Sequence, residues 1–230
     1  MSMKTSRLHR MVLVAAMVLT AGGVLLVPNR CAAETISEWE SNNSLTTAQN
    51  VDGHFTLDYS FDIGDGSTSP SLNTSLTIPH VTIVGSGDGT FDYYSFYAPG
   101  WPSTSGRVIL DIDWTTPGFD SVLGLWAADG MGFGLNDDYD YRGGAGGSTS
   151  DTDSLWGGYL DTPGTYIVGV ARYGGAAGEG GFTGAAPETG DFYVLQISVE
   201  GQTIPEPSTL ALLGMGAFGL FAGTWRRRKA

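Results

Sequence analysis

Four oxygen-bearing side chains fall close together near residue 40: Glu38, Glu40, Asn42 and Asn43. Carboxylates and amides at that density suit calcium, a hard cation that takes about six to eight oxygen ligands. The same residues also suit a solvated acidic linker. A second group, Asp137, Asp138 and Asp140 with Asp129 upstream, lacks a glutamate where an EF-hand loop needs its bidentate ligand. Asn136-Asp137-Asp138 reads better as a turn closed by side-chain-to-backbone hydrogen bonds.

Catalytic arrangements are scarce. No Gly-x-Ser-x-Gly elbow occurs, and the glycine run at 143–147 lacks the lysine of a phosphate-binding loop. His54 and His80 have no metal-ligand spacing between them and read as surface or strand-edge residues. Asp111 and Asp113 could imitate a glycosidase pair. On one strand, though, their spacing points both into solvent, opposite an apolar face. No catalytic residues are assigned, and the chain is read as non-enzymatic. Trp101, Trp156, Tyr139 and Tyr141 could stack on sugar rings if exposed, or pack at the rim and core.

Charge narrows the partners. Residues 34–204 hold 23 acidic side chains against three arginines and no lysine, a net charge of −20. Such a surface repels nucleic acid and anionic lipid, and it attracts cations. At about 170 residues this span can bury one real core.

The elements that would position these residues read as strands. Residues 55–63 alternate apolar and polar, as do 107–114, where Val108, Leu110, Ile112 and Trp114 share a face. Residues 81–84 form a short strand and 91–98 an aromatic one. Residues 122–127 are apolar enough to be buried on both faces. Residues 155–160 and 165–172 suggest a hairpin around Thr162-Pro163-Gly164, and 192–199 closes the domain. Residues 64–73 and 174–190 read as loops, the second long and glycine-rich. The expectation is an all-β, antiparallel β-sandwich or jelly-roll-like single domain over 34–203.

Four segments in order resemble the bacterial pre-peptidase C-terminal domain. They are Glu40-Ser41-Asn42-Asn43-Ser44-Leu45-Thr46-Thr47-Ala48, and Gly87-Asp88-Gly89-Thr90-Phe91-Asp92-Tyr93-Tyr94-Ser95-Phe96. Leu123-Gly124-Leu125-Trp126 running to Asn136-Asp137-Asp138 is the third, and Pro163-Gly164-Thr165-Tyr166-Ile167-Val168-Gly169-Val170 the fourth. The resemblance covers roughly residues 38–200. It implies a small β-sandwich, with Asp88 and Asp92 closing a calcium site against the Glu38 segment. No peptidase lies beside it here, and the loops after Ser60 and Gly174 exceed the family's minimum.

Both ends carry sorting features. Lys4, Arg7 and Arg10 precede an apolar run at 11–27, and Cys31-Ala32-Ala33 offers small residues before Glu34. This predicts a signal peptide over 1–33, which would take the only cysteine with it. At the other end Pro205-Glu206-Pro207 is followed by an apolar run at 210–225, then Arg226, Arg227, Arg228 and Lys229. That run predicts a short transmembrane helix with a cytoplasmic basic end. The order of the three parts over 204–230 resembles the PEP-CTERM sorting signal. The resemblance implies removal of the helix by an exosortase and a place in exopolysaccharide-forming, biofilm bacteria. The sequence therefore predicts an exported cell-surface protein, first held in the membrane by its tail, with an adhesive or structural role. Exopolysaccharide or envelope proteins are its expected partners. A calcium-dependent binding module is the rival reading.

Overall fold

Alternation along the chain sets which side chains meet. Successive strand residues point to opposite faces, so each apolar stripe needs one facing layer. The computed structural model describes residues 34–39, 41–66, 71–137, 150 and 152–204. Among the described residues the strands are β1 (Thr35–Ser37), β2 (Gln49–Asn50), β3 (His80–Ser86), β4 (Asp92–Ala98), β5 (Arg107–Asp113) and β6 (Ser121–Ala127), followed by β7 (Gly132–Asn136), β8 (Leu155–Tyr159), β9 (Gly164–Arg172), β10 (Gly175–Gly178), β11 (Gly181–Gly184) and β12 (Phe192–Val199). One sheet runs β1-β3-β12-β5-β8, a second runs β2-β4-β9-β6-β7, and β10-β11 form a separate ribbon.

The two large sheets share one core. Val81 and Ile83 of β3, Leu110 and Ile112 of β5, and Leu195 and Ile197 of β12 come from the first. Tyr94 and Phe96 of β4, Leu123 and Leu125 of β6, and Val168 and Val170 of β9 come from the second. This is the sandwich-like, nearly all-β arrangement the alternation predicts.

The sheets are mixed rather than purely antiparallel. β1 runs parallel to β3 and β2 parallel to β4, while the other pairs are antiparallel. The N-terminal segment thus lends one short strand to an edge of each sheet, covering backbone groups that an edge leaves unpaired.

Residues 55–63 do not form the expected strand. Only Thr56 bridges, to His80. The reason is topological: β12 takes one side of β3 and β1 takes the other from Thr82 to Val84, so only the end at His80 is left for Thr56. The segment lies over the first sheet instead. Phe55 and Ile63 are buried while Tyr59 and Phe61 are exposed. Asp62 accepts from Trp114 Nε1 (3.3 Å), and the Asp65 carbonyl accepts from Arg107 Nη2 (3.1 Å), at opposite ends of β5.

The expected hairpin over 155–172 is also corrected. β8 pairs with β5 and β9 with β4 and β6, so residues 160–163 carry the chain from one sheet to the other. The long loop at 174–190 contains the β10-β11 ribbon. That ribbon covers the outer face of β6, which explains why residues 122–127 are apolar on both sides. Tyr93, Val122, Trp126, Ile167, Ala171 and Phe182 make a second buried cluster there. Gly124 and Gly169 face each other across β6 and β9, and a Cβ at either would overlap the ring of Trp126.

No helix among the described residues is long and apolar enough to cross a membrane. The expected signal helix (1–33) and tail helix (210–225) lie outside the described residues, as do Pro205, Glu206, Pro207, Arg226, Arg227 and Arg228.

Candidate functional site

Glu38 follows β1 and is held against β3 by its own N–H, which donates to the Val84 carbonyl (2.9 Å). Its carboxylate gathers donors from four places. Oε2 accepts from Ser86 N–H (2.8 Å); Oε1 accepts from the Tyr94 hydroxyl (2.8 Å), Asn42 Nδ2 (3.1 Å) and the Tyr193 hydroxyl (3.3 Å). Tyr193 also donates to Asp92 Oδ2 (2.8 Å), and the Tyr94 and Tyr193 hydroxyl oxygens stand 2.7 Å apart. Two phenolic protons therefore serve three close contacts: to Glu38, to Asp92 and to each other. Burial pushes both hydroxyls well above the ordinary tyrosine range. For Tyr94, the charges of Glu38 and Asp92 add to this; for Tyr193, the neighbouring Tyr94, Asp92 and Glu38 do.

Backbone features hold this arrangement. Asn42 is 1% exposed; its carbonyl accepts from Tyr93 N–H (3.0 Å), and its Oδ1 is buried with no hydrogen-bond partner. Ser41 before it takes φ 83°, a left-handed conformation uncommon outside glycine. Gly85 lies opposite Tyr193 in the β3–β12 register, and any Cβ there would overlap the tyrosine ring. Beside the cluster opens a cleft of about 590 Å³, bordered by Trp39, Asn42, Gln49, Asn50 and His54. Trp39 is 79% exposed, and Gln49 Oε1 accepts its backbone N–H (2.7 Å).

The buried cluster thus unites Glu38, Asn42 and Asp92 of the expected calcium ligands. Asn43 and Asp88 are exposed, and the Asp88 carboxylate caps its own turn through Thr90 N–H (2.8 Å) and Oγ1 (2.5 Å). Glu40 lies outside the described residues. Tyr94 and Tyr193 were missed from the sequence. Their alternation marks them as core, and only the fold brings these residues, 99 apart in the chain, to one carboxylate. Among the described residues no three His, Cys, Asp or Glu side chains are gathered to ligate one ion.

The other candidates sort as follows. Asp129 Oδ1 accepts from Met131 N–H (3.0 Å) in the turn between β6 and β7, whereas Asn136, where the sequence predicts a side-chain turn, ends β7 and bonds across to β8. Asn136 Oδ1 accepts from Leu155 N–H (3.2 Å); Asp138, Asp140, Tyr139, Tyr141 and the glycine run lie outside the described residues. Trp101 is exposed, whereas Trp156 is half-buried against the core. Asp111 and Asp113 do not face solvent: they are 2% and 1% exposed, because the segment after Phe55 covers their face of β5.

The histidines differ too. His54 pairs with Glu34 at the surface (2.9 Å). His80 is buried rather than superficial, and its Nε2 has no hydrogen-bond partner. Burial holds it below the ordinary imidazole range, with the Ile78 carbonyl and the charge of Asp58 pulling weakly the other way. The folded state therefore resists a proton that the unfolded chain accepts. Its contribution is intact above about pH 6.5 and is lost as pH falls from there towards the folded value. In His80→Phe, stability should fall less between pH 6.5 and 5 than in the parent, measured by urea unfolding. Parallel profiles would refute a neutral buried His80.

A family model described as the PEP-CTERM protein-sorting motif matches residues 203–228. No curated protein matches the chain. Among solved structures, the catalytic domain of a GH87 alpha-1,3-glucanase in complex with nigerose matches at 16% identity. The match covers 57% of this chain and 24% of that one, with a TM-score of 0.24, too low to carry an argument about fold or function. The sorting motif implies an exported chain that an exosortase processes.

Proposed function

We propose that the domain is a non-catalytic interaction module, delivered to the cell surface and serving adhesion or structure within an exopolysaccharide layer. The sorting motif at 203–228 carries this reading, because it implies export and exosortase processing. The exposed Trp39 beside a polar cleft supports it: a flat apolar ring with hydrogen-bonding neighbours suits a sugar face. We read the domain as a relative of the pre-peptidase C-terminal domain. In support, the segments quoted for that likeness fall on the entry segment, β4, β6 with β7, and β9.

A calcium-dependent version is favoured by one observation, the buried Asn42 Oδ1 beside Glu38 and Asp92. An ion there would take two carboxylates and an amide oxygen, with carbonyls or water completing its shell. Binding to the folded state alone stabilises it by about 2.7 kcal/mol at 100 times the dissociation constant. The test is a glycan array probed with the exported chain in calcium and in chelator. Binding to acidic or neutral polysaccharides in both supports the first version, and binding lost in chelator the second. Turnover of any glycan would remove the non-catalytic reading.

A further inference from the structure

The cleft beside the Glu38 cluster is built from the entry segment, and several of its polar side chains are already engaged. Gln49 Oε1 accepts from Trp39 N–H (2.7 Å), and Gln49 Nε2 donates to the Ser37 carbonyl (3.2 Å). Asn50 Oδ1 accepts from Asp52 N–H (3.2 Å), and Asn50 Nδ2 donates to Asp52 Oδ2 (3.1 Å). His54 faces Glu34 (2.9 Å). These side chains hold the walls in shape. The volume, about 590 Å³, lies within the roughly 300–1,000 Å³ of small-ligand sites.

Asn42 differs from its neighbours. It lines the cleft and is 1% exposed, and its Oδ1 is buried with no hydrogen-bond partner. The amide cannot turn to change this. Its Nδ2 donates to Glu38 Oε1 (3.1 Å), and a carboxylate oxygen only accepts, so Oδ1 is fixed on the other side. The backbone is fixed as well: the Asn42 carbonyl accepts from Tyr93 N–H (3.0 Å), and Ser41 turns the chain at φ 83°. A buried acceptor without a donor is costly, and a ligand that supplies the donor removes that cost. Trp39, 79% exposed, borders the same cleft with a flat apolar ring. Among the described residues that line the cleft none is lysine or arginine. An anionic ligand would meet the Glu38 carboxylate and a strongly acidic domain with no cation to balance it.

We infer that this cleft is a subsite for a non-acidic sugar residue, stacked on Trp39 and donating from a hydroxyl or ammonium group to Asn42 Oδ1. This rests on the reading of the domain as an interaction module and names the class of ligand it takes. A sugar ring joins the two features the cleft asks for, an apolar C–H face and donors around its rim. Neutral hexoses and amino sugars share that chemistry. An amino sugar adds the attraction of its ammonium group to the tryptophan face and to Glu38. Uronic, sulfated and phosphorylated sugars carry the wrong charge for this site.

An array of neutral, amino and acidic polysaccharides, probed in chelator with the exported chain, tests this. Neutral or amino members should bind and acidic ones should not; the first assigns a hydroxyl donor, the second an ammonium. Trp39→Ala should weaken that binding by about tenfold or more, as loss of an aromatic anchor does, and Trp39→Phe should keep part of it. Trp101→Ala removes an exposed indole outside the cleft and should bind as the parent does. Asn42→Ala should weaken the same binding, and Trp39→Ala, at the surface, carries the test if Asn42→Ala fails to fold. The inference is overturned if acidic glycans bind as well as the others, if Trp39→Ala binds as the parent does, or if no glycan binds in chelator. A glycan held equally by the parent and Trp39→Ala removes this site and leaves the interaction module standing.

Discussion

Trp126→Ala should lower the unfolding free energy by about 3–5 kcal/mol, the range for truncating a large buried aromatic. Trp126 is fully buried on the outer face of β6, so the lost volume cannot refill with solvent at no cost. Its ring meets Phe182 edge-on at 5.0 Å and Tyr93 at 5.7 Å, geometries that add to simple area burial. Its indole N–H donates to the Gly178 carbonyl (2.8 Å), tying the ribbon of β10 and β11 to the sheet. Tyr93 provides the second tie, its hydroxyl accepting from Phe182 N–H (2.7 Å). The ribbon is built of glycine, alanine, Phe182 and Thr183, so it brings little packing of its own and two strands alone are marginal. Trp126→Ala should therefore open residues 174–190 to protease before the sandwich unfolds. Trp126→Phe should keep much of the packing and lose the hydrogen bond, a smaller cost of about 1 kcal/mol. Urea unfolding and limited proteolysis check both; a ribbon as protected in Trp126→Ala as in the parent would contradict this account.

What the sequence disclosed, and what it withheld, divides along local and non-local lines. Alternation in 107–113 and 192–199 is a local property, and these segments are strands as expected. Residues 55–63 alternate just as well, yet joining a sheet needs a free edge, and β1 and β12 leave only the end of β3 at His80 open, where Thr56 bridges. Thr162-Pro163-Gly164 was read correctly as a change of direction, but turn residues do not reveal which sheet the chain enters next. β10 and β11 left no signal because glycine and alanine have little strand preference. The same division applies to the sites. Glu38 and Asn42 stand out by crowding, while their tyrosine partners come from distant strands. Asp111 and Asp113 were placed on the correct face of their strand. Alternation cannot tell that the segment after Phe55 would bury that face.

Glu38→Ala should cost about 3 kcal/mol or more, because one carboxylate accepts four hydrogen bonds and hydrogen bonds to charged groups are worth about 1.5–3 kcal/mol each without being additive. Removal strands the Asn42 amide and the Ser86 N–H, and leaves two buried phenols with one carboxylate between them. Glu38→Gln keeps the volume but removes the charge and should cost less. A second readout separates loss of charge from loss of packing. In the parent, Tyr94 and Tyr193 keep their protons above the ordinary value of 10.0, through burial first and then nearby negative groups. A folded value raised in this way means that the native state holds protons the unfolded chain gives up. Stability is therefore whole below about pH 10 and is lost as pH rises from there towards the folded values. Taking the charge of Glu38 away lowers those folded values while burial still keeps them raised. In Glu38→Gln the two phenols should ionise at lower pH than in the parent, seen by ultraviolet difference absorbance of the folded protein. A charge-neutral role for Glu38, in which it merely fills space beside β3, predicts coincident alkaline titrations for the two proteins.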